Sequence, residues 1–168
     1  MRPVYQQEQH DPVKDIWGDC HRAALASVLN LPLNDVPHFC KGGAPDWRDR
    51  ERAWLASRGL LPVLLAIPGA DQGEALRYAS AVNPAPGQHF ILSGTSAVDG
   101  LNHSVVCLGE RVAHDPDPEA MKGQLALSGP LPTIGQFIAC FLMPLPLGMK
   151  PPQQPATPGF RSMLDGAA

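Results

Sequence analysis

Cys20 has the residue type and the position needed for nucleophilic chemistry. It follows Asp19 at the start of an apolar run, residues 20–30, that predicts a buried helix. A cysteine in the first helical turn faces unpaired backbone N–H groups and the positive end of the helix dipole, and both favour the thiolate. The same N–H groups can bind the oxygen anion of a tetrahedral intermediate. Gly18 lets the backbone turn sharply before the helix, which leaves the sulfur approachable.

His103 and Asp115 can supply the acid–base chemistry that a thiolate needs. A histidine takes and returns the proton, and a third group fixes its tautomer. His103 begins an apolar stretch at 103–108, Asp115 ends another at 111–115, and a Gly-Glu pair between them predicts a hairpin. Taken singly, each residue of the set is more often structural, as a core cysteine, a strand-start polar residue or an Asp-Pro turn. Together they predict a Cys-His-Asp set.

The register of this hairpin decides whether His103 and Asp115 share a face. A two-residue turn would place His103 opposite Pro116, with Asp115 pointing away. A three-residue turn centred on Gly109 would place His103 directly opposite Asp115. It would also place Val105 opposite Ala113 and Val106 opposite Val112. Because glycine is common in bulged turns, we expect the three-residue turn.

The remaining elements predict an α+β domain in which helices precede antiparallel strands. Helices are expected over 20–30, 46–57 and 73–81, and strands over 60–67, 89–93, 103–108, 111–115 and 136–142. Asp19 suits the N-cap of the first helix, since its carboxylate can accept from backbone N–H groups of the first turn. Residues 94–102 are expected to form a glycine-rich loop. The domain is expected over 1–148, followed by a flexible Pro/Gly-rich tail over 149–168.

Composition excludes several classes of function. The 168-residue chain has a net charge of −3, and its 13 basic residues form no run, which disfavours a nucleic-acid binder. No stretch reaches the roughly 18 apolar residues of a membrane span, and the polar start lacks a signal-peptide core. The sequence thus predicts a cytoplasmic protein without a membrane partner. The four cysteines are scattered without a C-x-x-C pair, and the six histidines show no H-x₃-H spacing. No disulfide framework, metal or cofactor is therefore expected.

Two segments resemble the Cys and His-Asp boxes of papain-like cysteine peptidases. The closest variety is the bacteriocin leader-peptide (double-glycine) peptidases, with related small proteins of bacteria and their phages. The segments are GDCHRAALASVL at 18–29 and NHSVVCLGERVAHDP at 102–116. The order Cys, His, Asp is the same, as are the helix after Cys and the strand carrying His. The resemblance covers residues 6–118 and includes LPLNDVPHF at 31–39 and ILSGTS at 91–96.

This resemblance implies a papain-like fold, in which a buried N-terminal helix carrying Cys packs on an antiparallel sheet carrying His and Asp. It implies an enzyme, a thiol-dependent peptidase or amidase that acts on a protein or peptide. Cys20 would attack the carbonyl, His103 would transfer the proton, and Asp115 would orient His103. No cofactor or metal would be required.

One feature of the family is displaced in this chain. The family has a Gln upstream of the nucleophile whose side-chain amide completes the oxyanion hole. Leader peptidases also have Cys-Gly-Pro where this chain has Cys-His-Arg at 20–22. Gln6, Gln7 and Gln9 are the candidate amide donors, and we assign Gln9. Loss of one oxyanion donor costs about 10²–10³ in rate, so without one the chain would be slow or inactive.

Two alternatives stay open. The same three residues could serve an acyltransferase or a deamidase, in which an amine replaces water or a Gln side chain is the substrate. The chain could instead be a catalytically silent papain-like binding module of a phage or bacterial assembly. A wide Cys20–His103 separation, or a cleft filled by the chain's own residues, would favour the silent module. The sequence indicates no oligomeric state.

Overall fold

The helices and strands follow the order expected from the sequence. The computed structural model describes residues 1–120 and 125–146. Within these residues, the helices are α1 (Cys20–Leu29), α2 (Trp47–Ala56) and α3 (Gln72–Ala81). The strands are β1 (Leu60–Ile67), β2 (Phe90–Ser96), β3 (Asn102–Leu108), β4 (Arg111–His114), β5 (Leu127–Gly129) and β6 (Phe137–Pro144). The predicted α+β class is confirmed. The predicted tail over 149–168 lies outside the described residues.

The strands form one antiparallel sheet in the order β1-β6-β2-β3-β4, and the short β5 pairs with the end of β2. β2 is therefore a central strand, and it pairs with β3, which carries His103. Gly94 of β2 lies opposite His103. A Cβ at Gly94 would come within 2.7 Å of the Gly129 carbonyl oxygen and 2.8 Å of the Phe137 ring, so only glycine fits there.

Side chains alternate across this sheet and give it two apolar faces. One face packs against α1 and α2 through residues that include Ile91, Val106 and Cys140. The other face packs against α3 through residues that include Phe90, Leu92 and Val105. The fully buried alanines of α1, Ala23, Ala24 and Ala26, let this helix lie close to the sheet. The helix that begins with Cys20 is thus fixed against the strands that carry the other candidate residues.

The turn between β3 and β4 differs from the predicted one. Leu108 pairs with Arg111, which leaves a two-residue turn in place of the expected three-residue turn. Gly109 occupies the first turn position with φ of 56°, a left-handed conformation that glycine adopts at little cost. The prediction of a turn centred on Gly109 is therefore wrong.

The hairpin register also differs from the predicted one beyond the turn. Cys107 pairs with Val112, but Val106 pairs with His114, because a bulge at Ala113 shifts the register between these pairs. The predicted pairs of Val106 with Val112 and of Val105 with Ala113 are therefore wrong. A bulge adds one residue to β4, and it re-aims the side chains that follow.

Two further boundaries correct the sequence prediction. β2 continues through Ser96, so the loop predicted over 94–102 is confined to 97–101. β5 was not expected, because its three residues carry too little pattern to indicate a strand. In the described part of the chain, no helix is long and apolar enough to cross a membrane.

Candidate active site

A cavity of about 330 Å³ opens where the first turn of α1 faces the ends of β2 and β3. The N-terminal segment, residues 6–10, lines one side of it, and the start of α2 lines another. The predicted site residues on its wall are Gln9, Cys20 and His103. Three elements that are distant in the sequence therefore meet at this cavity.

Cys20 is the first residue of α1 and is partly exposed. The preceding Asp19 does not cap the helix as predicted, because its side chain makes no capping hydrogen bond. Its Oδ1 instead accepts from the backbone N–H groups of Gln7 and Glu8, at 2.9 and 3.0 Å. Its Oδ2 lies 3.4 Å from Nη1 of Arg22. The Asp19 carboxylate therefore holds the N-terminal segment beside Cys20 and leaves the first turn of α1 without a side-chain cap.

Gly18 allows this close approach of the N-terminal segment. A Cβ at Gly18 would lie 2.9 Å from the backbone nitrogen of His10 and 3.0 Å from its Cβ. Both contacts are shorter than a side chain there could accept, so any other residue would push the segment away. The glycine before Cys20 therefore serves a close packing contact as well as the expected turn.

His103 lies between Cys20 and Asp115. Its Nε2 is 2.7 Å from Oδ1 of Asp115, and the Cys20 side chain is near enough to act on the pKa of the ring. Burial by itself lowers the pKa of His103, but the hydrogen bonds and charges of Asp115 and Cys20 outweigh it and raise the pKa to about 10. The imidazole is therefore protonated at neutral pH, the state that pairs with a thiolate.

Asp115 reaches His103 although the hairpin register is not the expected one. β4 ends at His114, so Asp115 lies just beyond the strand, where the bulged hairpin no longer fixes its side chain on one face. The backbone N–H of Asp117 donates to the same Oδ1 at 2.9 Å, which holds the carboxylate in place. The structure thus brings Asp115 to His103 by a local geometry that the sequence did not indicate, and Cys20 lines the same cavity as His103.

The two glutamines at the cavity have different partners. Nε2 of Gln9 donates to Oδ1 of Asp117 at 3.1 Å. Gln6 is buried, and its backbone N–H donates to the Pro116 carbonyl at 2.9 Å, but its side-chain amide has no hydrogen-bond partner among the described residues. Gln7, the third candidate, is exposed and does not line the cavity. The choice of Gln9 over Gln6 stays a prediction.

The other three cysteines are in environments that disfavour a thiolate. Burial raises the pKa of Cys40 to about 12, although Cys40 lines the same cavity as Cys20. Burial also raises the pKa of Cys107 and of Cys140, which lie inside the sheet core. Cys20 is the cysteine whose side chain contacts a histidine that is itself bonded to a carboxylate.

A second histidine at the cavity, His21, is also paired with a carboxylate, and sequence reasoning missed this pair. Nε2 of His21 lies 3.1 Å from Oε1 of Glu51, which is 2% exposed in α2. Burial by itself raises the pKa of Glu51, but the charge and hydrogen bond of His21, together with the charge of Arg48, hold it below its ordinary value. Nδ1 of His21 is 3.4 Å from Oγ of Ser104. No sequence signal marked Glu51, because it stands in a run of charged residues typical of an exposed helix face.

The groups around Glu51 are incompletely paired. Oε2 of Glu51, Nε of Arg48 and Nε1 of Trp47 are buried without a hydrogen-bond partner in the described residues. The Arg48 guanidinium lies 3.8 Å from the centre of the Trp47 ring. Unpaired buried polar atoms are rare in folded proteins, so this group of three distinguishes the surroundings of Glu51 from the rest of the described interior.

Asp117 is the other cavity residue that sequence reasoning did not assign to the site. It is 8% exposed, and its Oδ1 accepts from Gln9 and from the backbone N–H of Glu119. The Asp-Pro-Asp-Pro pattern at 115–118 is typical of a stiff loop, and it gave no indication that Asp117, its second carboxylate, is buried. Within the described residues, no group of three or more His, Cys, Asp or Glu side chains is placed to hold a metal ion.

The comparisons with known proteins found no matching family model, no similar curated protein and no similar solved structure. The contacts of this chain's own residues therefore carry the functional proposal.

Proposed function

We propose that this chain is a thiol-dependent hydrolase of papain-like architecture that cleaves an amide bond in a protein or peptide. The observation that carries the proposal is the hydrogen bond of His103 to Asp115, together with the position of Cys20 close to His103 on the wall of the same cavity. Cys20 is the nucleophile, His103 transfers protons, and Asp115 orients His103 and stabilises its cation.

The first half of the reaction uses the protonated state of His103. The Cys20 thiolate attacks the carbonyl carbon, and a C–S bond forms as the carbonyl oxygen becomes an anion. The thiolate charge that helped to raise the pKa of His103 is then gone, so the ring gives its proton to the leaving nitrogen more readily. The C–N bond breaks, the amine leaves, and an acyl-enzyme remains on sulfur.

Water completes the cycle from the same side chains. His103, now neutral, accepts a proton from a water molecule as the water oxygen attacks the acyl carbon. The C–S bond breaks, and sulfur leaves with its electron pair as the thiolate. His103 is protonated again beside Asp115, which restores the starting state.

The oxyanion needs two donors, and the uncapped first turn of α1 offers one through the backbone N–H of Cys20. We propose that Gln6 supplies the second, because its amide faces no competing partner whereas that of Gln9 is bonded to Asp117. Gln6→Ala is then expected to slow acylation about 10²–10³-fold, and Gln9→Ala is the matched control. A larger loss in Gln9→Ala would return the role to Gln9.

The proposal is tested by labelling with iodoacetamide at neutral pH and mapping the modified cysteine by mass spectrometry. Wild type is expected to be modified at Cys20, and Cys20→Ala is expected to lose this modification. Cys40→Ala is the matched control, because Cys40 lines the same cavity but has a pKa of about 12. Labelling that persists in Cys20→Ala at the wild-type rate would remove the nucleophile.

The reaction type is tested on a peptide mixture incubated with wild type and with Cys20→Ala. A hydrolase gives new peptide ends that are absent with the variant. Deamidated glutamines or cross-linked peptides would favour the deamidase or acyltransferase alternative. The absence of any Cys20-dependent product, together with an unlabelled Cys20, would favour the silent binding module.

A further inference from the structure

Asp117 is a buried carboxyl group that no cation of the described residues contacts. The residue is only 8% exposed, yet none of the ion pairs between described residues places a Lys, Arg or His nitrogen within 4 Å of its oxygens. Aspartates are rarely this buried unless they are paired, because a charge loses much of its hydration on burial. Within the described residues, the carboxylate is therefore held by hydrogen bonds alone, without a cation beside it.

The two oxygens of Asp117 have different surroundings. Oδ1 accepts from Nε2 of Gln9 at 3.1 Å and from the backbone N–H of Glu119 at 2.9 Å. These bonds fix the position of the carboxylate. Oδ2 has no hydrogen-bond partner among the described residues. It is also not one of the unpaired side-chain atoms that are fully buried, so solvent can reach it. Since Asp117 lines the cavity, Oδ2 is the oxygen that remains for a ligand.

The position of Asp117 links this carboxylate to the reacting groups. Its backbone N–H donates to the Asp115 oxygen that also contacts His103. Asp117 and Cys20 line the same cavity of about 330 Å³, a size that holds a few side chains of a peptide. A group bound at Oδ2 would therefore belong to a residue close to the amide that Cys20 attacks.

We propose that Oδ2 of Asp117 binds a cationic group of the substrate, an ammonium or guanidinium, so that the chain acts on amides next to a positive charge. This inference rests on the proposed function for its reaction but not for its binding site. A cation at this position gains both the charge of Asp117 and a charge-assisted hydrogen bond in a partly desolvated cavity. The corresponding neutral group gains neither.

The electrostatic part is tested with two reagents that differ in one group, aminoethyl and hydroxyethyl methanethiosulfonate. In each case the Cys20 thiolate attacks the sulfenyl sulfur, a mixed disulfide forms, and methanesulfinate leaves with the electron pair. The cationic reagent is expected to modify Cys20 faster than the neutral one by about fivefold to tenfold, after correction for their rates with a free thiol. Added salt is expected to reduce this preference.

Asp117→Asn isolates the charge, because an asparagine Oδ1 can still accept from Gln9 and Glu119. The variant is expected to lose most of the cationic preference, which is measured as the ratio of the rates of the two reagents within the same variant. Asp99→Asn is the matched control. Asp99 lines the same cavity and also accepts a backbone N–H through Oδ1, at 3.0 Å from Leu101, but it is exposed. Its charge is screened by water, so its loss is expected to change the preference less.

The outcomes separate the two proposals. A reactive Cys20 with no cationic preference, or with one that Asp117→Asn leaves intact, overturns the role of Asp117 and leaves the hydrolase proposal standing. An unreactive Cys20 overturns the hydrolase proposal. In that case the cation site is tested by the affinities of a lysine-containing peptide and its norleucine analogue for wild type and for Asp117→Asn. Wild type is expected to bind the lysine peptide more tightly than its analogue, and Asp117→Asn is expected to lose this difference.

The source of the cation is separated with peptides whose α-amino groups are free or acetylated. Cleavage beside Lys or Arg that survives acetylation identifies a basic side chain as the ligand of Asp117. Cleavage near the amino end that acetylation abolishes identifies the α-ammonium group. Cleavage that depends on neither group contradicts the proposal.

Discussion

Two histidines line the same cavity, and each is bonded to a carboxylate, but the two pairs have different surroundings. Nε2 of His103 lies 2.7 Å from Oδ1 of Asp115, and the partly exposed Cys20 lines the same cavity as this histidine and helps to raise its pKa. His21 and Glu51 are 3.1 Å apart, and Glu51 is almost completely buried behind α1. The comparison teaches that a histidine–carboxylate pair alone does not mark a reaction site. The group on the other side of the imidazole, and the access of a ligand to that group, decide the role.

The difference follows from where each carboxylate comes from. Asp115 lies in a loop just beyond β4, next to the cavity, so water and a ligand can reach its partner. Glu51 lies on the face of α2 that packs toward α1, and it ties the two helices together through His21. We therefore assign the first pair to chemistry and the second to stability, and the predictions below test this division.

The largest expected effect is the loss of stability in Glu51→Ala. Removing one partner of a buried ion pair leaves the other uncompensated, so the free energy of unfolding should fall by about 3–5 kcal/mol. Asp115→Ala should lose only about 1–2 kcal/mol, because the cavity allows water to replace the lost hydrogen bond. Urea unfolding of both variants measures the difference, with Glu51→Gln as a milder change that keeps an acceptor for His21.

The reactivity of Cys20 should show the opposite order. Asp115→Ala should slow its modification by iodoacetamide about 10²-fold, because His103 loses the group that holds its cation. Glu51→Gln should retain most of the wild-type rate wherever it remains folded. The assignment of one pair to chemistry and the other to stability would be contradicted by equal losses of stability in Glu51→Ala and Asp115→Ala. Slower modification of Cys20 in Glu51→Gln than in Asp115→Ala would contradict it as well.

Much of this arrangement could be predicted from the sequence, since it depends on local signals. Glycine and proline delimit β1, and an apolar run after Cys20 delimits α1, so both elements occur within a residue of where they were expected. The approach of His103 to Asp115 was also expected, but for the wrong reason. The pairing was predicted from a three-residue turn, whereas the hairpin has a two-residue turn with a bulge at Ala113, and Asp115 lies just beyond β4. A bulge is set by packing that a single sequence does not display.

The parts that the sequence did not predict depend on contacts over long separations. Asp19 was expected to cap α1, but the N-terminal segment competes for its carboxylate, and the path of that irregular segment has no periodic signal. The same path brings both Gln6 and Gln9 to the cavity and bonds the side-chain amide of Gln9 to Asp117. Glu51 was hidden because its partner His21 is 30 residues away, and charged neighbours in α2 suggested a solvated face.

The two pairs should also stabilise the fold in opposite ranges of pH. The pKa of His103 is raised from its ordinary 6.5 to about 10, so its contribution is fully present below about pH 6.5 and is lost as the pH rises through about 10. The pKa of Glu51 is lowered from 4.5, so its contribution is present above about pH 4.5 and is lost as the pH falls through the lowered value.

The free energy of unfolding of wild type, Asp115→Asn and Glu51→Gln, measured against pH, checks this assignment. Asp115→Asn should make the loss of unfolding free energy at alkaline pH smaller, although part of the loss remains because Cys20 also raises the pKa of His103. The same variant should leave the loss of unfolding free energy at acid pH unchanged. Glu51→Gln should flatten the acid decline alone. A variant that alters both limbs would show that the two pairs titrate as one network rather than as separate units.

The smallest expected effect concerns Ser104, whose hydroxyl lies beside His21 in the way that the Cys20 thiol lies beside His103. Its Oγ lies 3.4 Å from Nδ1 of His21 but only 2.8 Å from Oγ of Ser93, so the hydroxyl is already held by a closer partner. Ser104→Ala should therefore cost about 1 kcal/mol of unfolding free energy, the value of one buried hydrogen bond.

Ser57→Ala is the control for Ser104→Ala, because its hydroxyl bonds a carbonyl at an exposed helix end and should contribute close to nothing. A fluorophosphonate, which modifies activated serines, should leave Ser104 unmodified, because Ser104 does not follow an uncapped helix start that could receive an oxyanion. Modification of Ser104 that depends on His21 and Glu51 would instead make the second pair a reaction site. Both pairs would then serve reactions, and they would differ in the nucleophile, which is a sulfur at His103 and an oxygen at His21.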